Sequence, residues 1–154
     1  MNTLQICSIL RHCNLSLYRG VYASDTLPDD LTGLFVVNLD PRHEPGTHWI
    51  SIYISADRRR GEYFDSFGMR PVDCLSDYML THCSNYVYNR RQIQSYASKY
   101  CGYYCIVYCV CRERHGIDLN KFISRFTKDT SFNDALIHKA FNLLRKQLFN
   151  RRSR

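Results

Sequence analysis

The chain lacks the features that mark membrane, disordered and secreted proteins. No apolar run approaches the ~20 residues that a membrane-spanning helix needs, so we expect no membrane association. Only four prolines and seven glycines occur among 154 residues, of which 45% are hydrophobic, and this is the composition of a globular protein. Residues 4–10 lack a basic start and a long apolar segment. We therefore expect no signal peptide and no secretion.

Chain length indicates a single folded unit. A chain of 154 residues is long enough to bury a hydrophobic core and too short for two ordinary domains. We predict one domain over residues 1–150, followed by a basic tail at residues 151–154 that does not fold. We also expect the protein to act as a monomer.

Positive charge exceeds negative charge. The formal net charge of +7 and an isoelectric point of about 9.1 imply attraction to polyanions. Two interpretations stay open: solvated turns with a solubilising tail, or a salt-sensitive surface that contacts DNA phosphates. The charge is concentrated in four clusters: Arg58-Arg59-Arg60, Arg90-Arg91, Arg112 with Arg114, and the tail at residues 151–154.

Eight cysteines are present, and in the absence of an export signal we expect them to be reduced. Cys105 and Cys109 follow Cys101 by one and two helical turns, so a metal-binding stripe is one interpretation of this spacing. No histidine lies in the same run at ligand spacing, and small buried thiols suit packed helix faces. We favour packing thiols and expect no metal.

Hydrophobic patterning predicts an α+β fold, with a small, mostly antiparallel sheet flanked by helices. Residues 17–28 are typical of a loop-rich entry segment. A glycine after residue 115 predicts the end of the strongest helix. The predicted strands cover residues 33–39, 49–55, 62–65 and 86–94, and the predicted helices cover residues 4–12, 72–83, 101–115 and 130–149.

Two polar side chains fall at the ends of neighbouring predicted strands. His48 precedes the strand at 49–55, and Asp65 ends the strand at 62–65. Because consecutive strands joined by a tight turn pair antiparallel, both side chains reach the same edge of the sheet. Asp65 can then hold the imidazole of His48 in one tautomer and stabilise its positive charge.

Cys101 and Gln94 complete a candidate nucleophilic site. A cysteine at a helix start is favoured as thiolate by the free N–H groups there, which lowers its pKa. His48 would accept the thiol proton, and the amide of Gln94 would donate to an oxyanion beside the Cys101 backbone N–H. Each residue alone has an ordinary structural explanation; together, in the order His, Asp, Gln, Cys, they indicate a cysteine protease.

These residues resemble the adenovirus-type proteases (adenains) and, more distantly, the ubiquitin-like-protein proteases of the same papain-like clan. The Gln-to-Cys interval of seven residues is the adenain spacing. Asp65 stands where the adenoviral enzymes commonly have Glu, and agrees with the ubiquitin-like branch. The matching segments are residues 17–22 with 27–28, Gly46-Thr47-His48-Trp49, Asp65-Ser66-Phe67-Gly68, Gln94 and Cys101-Gly102.

The resemblance implies a viral maturation protease from a DNA virus or a Polinton-like element. Such an enzyme cleaves precursor proteins at glycine-containing sites, acts in the virion and the host nucleus, and needs no cofactor for its chemistry. Trp49 and Gly102 would contact substrate. Adenoviral enzymes are activated by DNA and by a peptide that bonds to a cysteine, and Cys83 falls at the position of that cysteine.

Two alternatives remain beside the maturation protease. One is a protease that removes ubiquitin-like modifiers from proteins. The other belongs to a different class: a basic nucleic-acid-binding protein whose cysteine site is vestigial. The sequence leaves open the natural substrate, the host, and whether DNA or a peptide activates the protein.

Overall fold

A five-stranded sheet with helices on both faces forms the framework of the protein. The computed structural model describes residues 1–150, and the predicted basic tail at 151–154 lies outside the described residues. Across residues 1–150, no helix combines the length and apolar character needed to cross a bilayer. The strands are β1 (Tyr18–Ala23), β2 (Gly33–Asn38), β3 (Trp49–Ile54), β4 (Gly61–Phe64) and β5 (Tyr86–Tyr88), and the helices are α1 (Thr3–His12), α2 (Asp73–His82), α3 (Cys101–His115), α4 (Leu119–Ser124) and α5 (Thr130–Asn150).

The strands lie in the order β1-β2-β3-β4-β5, and the sheet is mixed. The central pairings, β2 with β3 and β3 with β4, are antiparallel as predicted. Both edge strands, however, pair in parallel: β1 with β2 and β5 with β4. A parallel neighbour requires a crossover connection, and α2 supplies it between β4 and β5. The α+β prediction is confirmed, with more parallel pairing than the patterning indicated.

The sheet is buried on both faces, which explains the continuous apolar runs of its central strands. Along β2, Leu34 and Val36 point to one face, while Phe35 and Val37 point to the other. Helices α1, α3, α4 and α5 pack on the first face, and α2 packs on the second. Helix α3, which was predicted to begin after residue 100, packs on the first face of this sheet.

Two strands differ from the predictions. Residues 17–28 contain β1, which depends on long-range parallel pairing with β2 that local sequence does not reveal. The predicted strand at 86–94 ends at Tyr88. Beyond it, the side chain of Asn89 takes over the pairing: its Oδ1 accepts from Asp65 N at 2.9 Å, and its Nδ2 donates to Asp65 O at 2.5 Å. A side-chain amide thus replaces the next rung of the ladder.

Helix α4 is a six-residue helix that the sequence analysis did not predict. Its N-cap is Asp118, whose side chain accepts a hydrogen bond from Lys121 N at 2.8 Å. Leu119 and Phe122 bury against the first sheet face. Such a short helix carries less than two full turns of apolar periodicity, so patterning alone does not identify it.

The turn after β4 delivers the candidate carboxylate to the sheet edge. Gly68 N donates to Asp65 O at 2.9 Å, which closes the turn. Gly68 has a φ of +70°, and a Cβ there would lie 2.5 Å from the carbonyl carbon of Arg91. Both the backbone conformation and the close approach of the Arg91 backbone therefore require glycine.

We expect Gly68→Ala to destabilise the fold more than Gly116→Ala. Gly116 ends α3 at a φ of +61° with no atom within 4 Å of an added Cβ. Gly116→Ala therefore carries only the left-handed backbone cost of roughly 1–2 kcal/mol. Gly68→Ala adds an overpacking cost of about 1–3 kcal/mol. Urea denaturation of both variants measures the difference, and equal losses would contradict the close approach at Gly68.

Candidate active site

The thiol of Cys101 lies at the first residue of α3, where the chain leaves the loop at residues 95–100. The side chain is buried, with 8% of the residue exposed. Burial alone raises the pKa of this thiol, but its interaction with the His48 ring and with the backbone N–H groups of Trp49 and Gly102 outweighs burial and lowers the pKa below its ordinary value. The fold thus favours the thiolate.

His48 and Asp65 meet at the sheet edge as predicted. His48 directly precedes β3, Asp65 directly follows β4, and these strands pair antiparallel. The imidazole Nε2 lies 2.7 Å from Asp65 Oδ1. The carboxylate is almost fully buried and also accepts a hydrogen bond from Phe67 N at 2.8 Å. The position of the carboxylate is therefore fixed by the turn that follows it.

The bond to Asp65 determines which imidazole nitrogen is left for the thiol. Nε2 is engaged by Asp65, while Nδ1 is buried without a hydrogen bond of ordinary geometry. Because Cys101 interacts with the same ring, Nδ1 is the nitrogen that can accept the thiol proton. The ring is held in place by Phe67, which stacks on it with centroids 4.6 Å apart.

The imidazole prefers its protonated form. Burial lowers the pKa of His48, but hydrogen bonds and negative charge from Asp65 and Cys101 outweigh burial and raise the pKa from 6.5 to about 9. Since the pKa in the folded state exceeds the ordinary value, protonation of His48 contributes to stability fully below about pH 6.5 and this contribution is lost as the pH rises through about 9. The two shifts, raised at His48 and lowered at Cys101, both favour a thiolate–imidazolium pair.

Gln94 lies in the same cleft, with its amide held at both ends. Its Oε1 accepts a hydrogen bond from Ser66 Oγ at 2.6 Å. Its Nε2 donates to Ser98 O and to Ser98 Oγ, both at 3.1 Å. In the free protein, the amide donors are therefore directed to Ser98, and donation to an oxyanion requires one of them to leave that residue.

A cleft of about 400 Å³ brings these side chains together. Asp65 does not line it and lies behind the imidazole, as an orienting residue does. Residues that border the cleft from the loops include Gly46, Phe67 and Lys99. The full lining is Met1, Gly46, Thr47, His48, Trp49, Phe67, Gln94, Ser98, Lys99 and Cys101.

The two predicted substrate contacts occupy different surroundings. Trp49 lines the cleft but is 3% exposed, and its indole N–H donates to Met1 O at 3.2 Å. A Cβ at Gly102 would lie 3.3 Å from atoms of Ile6 and Met1. Gly102 therefore makes room for the N-terminal segment in this structure, and its contact with substrate stays a prediction.

Cys83 lies on the second sheet face, away from the cluster that contains Cys101. The thiol is buried, burial raises its pKa, and it donates to Met79 O at 3.0 Å. A disulfide with an activating peptide would require the end of α2 to open. That role of Cys83 stays a prediction.

The remaining cysteines on α3 are packing residues in this structure. Cys105 and Cys109 are fully buried, and burial raises the pKa of both thiols. All eight cysteines are free thiols. Among residues 1–150, no three His, Cys, Asp or Glu side chains are grouped so that they would hold a metal ion.

Ser66, Phe67 and Asn89 support the site, and the sequence analysis assigned them no role. Ser66 holds the Gln94 amide, Phe67 stacks on His48, and Asn89 pairs with the Asp65 backbone. Ser66 and Phe67 belong to the Asp65-Ser66-Phe67-Gly68 motif, so the motif was a reason to consider them. Asn89 had none, because its contact depends on the parallel β4–β5 pairing.

The chain matches no protein-family model and no curated protein. Among solved structures, the ASFV pS273R protease is similar with a TM-score of 0.50 and 22% identity, over 68% of this chain and 41% of that protease. The SUMO protease Ulp1, with its catalytic cysteine oxidised to a sulfinic acid, is similar with a TM-score of 0.47 and 14% identity, over 92% and 78% of the two chains. This chain thus spans about two fifths of the length of the ASFV protease.

Both similar structures are proteases by name. The likeness to the ASFV protease concerns the fold, and it agrees with the predicted α+β architecture. A viral source for this chain stays a prediction.

We expect alkylation of Cys101 by iodoacetamide to accelerate in two steps as the pH rises. The first step marks ionisation of the thiol, whose pKa is lowered, and the second, near pH 9, marks loss of the His48 proton. Asp65→Asn should move the second step to lower pH, because the neutral amide no longer stabilises the imidazolium. Rates resolved by peptide mapping test this, and a single step at the ordinary cysteine pKa would contradict the ion pair.

Proposed function

We propose that this protein is a cysteine endopeptidase with Cys101 as nucleophile, His48 as general base and acid, and Asp65 as the orienting carboxylate. The observation that carries the proposal is the 2.7 Å contact between His48 Nε2 and Asp65 Oδ1, which leaves Nδ1 for the thiol. The opposite pKa shifts of Cys101 and His48 support it, because they favour a reactive ion pair near neutral pH. Similarity of the fold to the ASFV pS273R protease supports peptide-bond hydrolysis as the reaction.

The reaction begins with attack of the Cys101 thiolate on a peptide carbonyl carbon. The resulting tetrahedral oxyanion accepts hydrogen bonds from the Cys101 backbone N–H and the Gln94 amide. Collapse breaks the C–N bond, and the His48 imidazolium gives its proton to the leaving amine. Water then attacks the thioester carbonyl carbon while the now neutral His48 takes one of its protons. Collapse of this second tetrahedral intermediate breaks the C–S bond, releases the carboxylic acid and restores the thiolate–imidazolium pair.

We further propose that the substrates are precursor proteins cleaved beside glycine during virion maturation, with DNA or an activating peptide as modulators. The resemblance to adenains supports this finer assignment. The formal net charge of +7 is compatible with a DNA contact. Among the arginines, Arg59 is largely exposed, whereas Arg58 and Arg112 form ion pairs with Asp30 and Glu62. Action in the virion and host nucleus is part of the same proposal.

A second candidate function is the removal of ubiquitin-like modifiers, favoured by Asp at position 65 where adenoviral enzymes commonly have Glu. Short peptides ending in two glycines would be cleaved by either enzyme. A panel of intact modifier conjugates, set beside precursor proteins of the source virus or element, separates them. Preference for conjugates would replace the maturation role and leave the chemistry unchanged.

We expect Cys101→Ala to abolish peptidase activity while the fold persists, because the thiol of Cys101 is the one that interacts with the His48 ring. Activity on a fluorogenic diglycine peptide, circular dichroism and mapping of a thiol-directed electrophile test this together. Cys109→Ala is the matched control, since Cys109 lies two turns further along α3 and is fully buried. Activity retained without Cys101 would refute the nucleophile. No labelling of Cys101, together with salt-sensitive DNA binding, would favour a vestigial site.

We expect Gln94→Ala to lower kcat by about 10²-fold to 10³-fold, as loss of an oxyanion donor does elsewhere. KM should change little, because the neutral ground-state carbonyl gains less from the amide than the oxyanion does. Steady-state kinetics on the same peptide measure both constants. An unchanged kcat would mean that another donor stabilises the oxyanion.

A further inference from the structure

Ser66 is a buried serine that has no part in the proposed chemistry, yet three hydrogen bonds join it to the segment that carries Gln94. Its Oγ donates to Gln94 Oε1 at 2.6 Å. Its backbone oxygen accepts from Ile93 N at 2.9 Å and from Gln94 N at 3.0 Å. With 1% of Ser66 and none of Gln94 exposed, these hydrogen bonds are shielded from bulk solvent.

The amide of Gln94 has two orientations, and its partners allow only one. The backbone oxygen of Ser98 is an acceptor only, so the nitrogen of the amide must face it. The oxygen of the amide then faces Ser66, whose hydroxyl supplies the matching donor. Without that hydroxyl, Oε1 would be a buried acceptor with no partner, which is costly enough to drive the amide out of position.

We propose that Ser66 is a positioning residue for the oxyanion donor: its hydroxyl holds the Gln94 amide with Nε2 on the side of Ser98, which lines the same cleft as Cys101. This inference rests on the proposed function. Ser66 also directly follows Asp65, which orients His48. Asp65 orients the base His48, and the next residue, Ser66, orients the oxyanion donor Gln94. The turn closed by Gly68 holds both residues in place.

The test compares a reaction that forms an oxyanion with one that does not. Hydrolysis of the p-nitrophenyl ester of N-acetylglycylglycine passes through a tetrahedral oxyanion and releases p-nitrophenolate. Alkylation by iodoacetamide displaces iodide from an sp³ carbon, so it reports the thiolate–imidazolium pair alone. Both are measured for the wild type, Ser66→Ala, Gln94→Ala and the double variant, with Cys101→Ala as the blank.

We expect Ser66→Ala to lower kcat for the ester roughly 5-fold to 100-fold, the range for an unpartnered buried acceptor. KM and the alkylation rate of Cys101 should stay within about twofold, because the change does not touch the ion pair. In the Gln94→Ala background, Ser66→Ala should cause no further loss of kcat. Ser51→Ala is the matched control: this serine is also buried, but it contacts the thiol of Cys109 at 3.8 Å.

Three results would overturn the inference: an unchanged kcat in Ser66→Ala, an equal loss in the Gln94→Ala background, or a parallel fall in alkylation. If Ser66→Ala does not fold, Ser66→Cys gives the same comparison, because a thiol of similar size donates only weakly. A wild-type protein that hydrolyses the ester no faster than Cys101→Ala would refute the proposed function and this inference with it. Failure of the inference alone leaves wild-type hydrolysis intact, so the two failures are distinguishable.

Discussion

The hydrogen bond between His48 Nε2 and Asp65 Oδ1 decides the chemistry that the rest of the site can perform. It assigns the two imidazole nitrogens to different partners, so Nδ1 is left for the thiol of Cys101. It also contributes to the charge of the ring, because the carboxylate at 2.7 Å and the thiol of Cys101 together outweigh the cost of burying an imidazolium. Antiparallel pairing of β3 with β4 brings the two residues together, so the site depends on the centre of the sheet.

Burial acts against both members of the thiolate–imidazolium pair, and the pair survives because its partners are arranged to oppose burial. Desolvation is the largest single effect on the pKa of Cys101 and of His48. Two backbone N–H groups and the imidazole offset it at the sulfur, while Asp65 and the thiolate offset it at the ring. If Asp65, His48 or Cys101 is removed, the remaining charged group is buried without the partner that offset its desolvation. These three groups therefore act as a unit.

Local signals predicted the parts of the structure that depend on neighbouring residues. The helix at Cys101–His115 has the predicted bounds because a glycine ends it in the left-handed conformation, and the His48–Asp65 contact followed from strand alternation and a short connection. The edge strand β1 and the early end of β5 were missed, since both depend on pairing between distant segments. The support from Asn89 and Ser66 has the same origin: an amide or hydroxyl becomes significant only when the partner across the fold is known.

The contact between Gln94 and Ser98 determines when the amide contributes to the reaction. In the free protein, both Nε2 hydrogen bonds go to neutral oxygens of Ser98. A neutral substrate carbonyl offers no stronger acceptor, so exchanging Ser98 for it gains little. An oxyanion accepts a charge-assisted hydrogen bond of about twice the strength, so the exchange becomes favourable as negative charge develops. In the proposed reaction, Ser98 would therefore keep the amide from the ground-state carbonyl, and the amide would stabilise the transition state selectively.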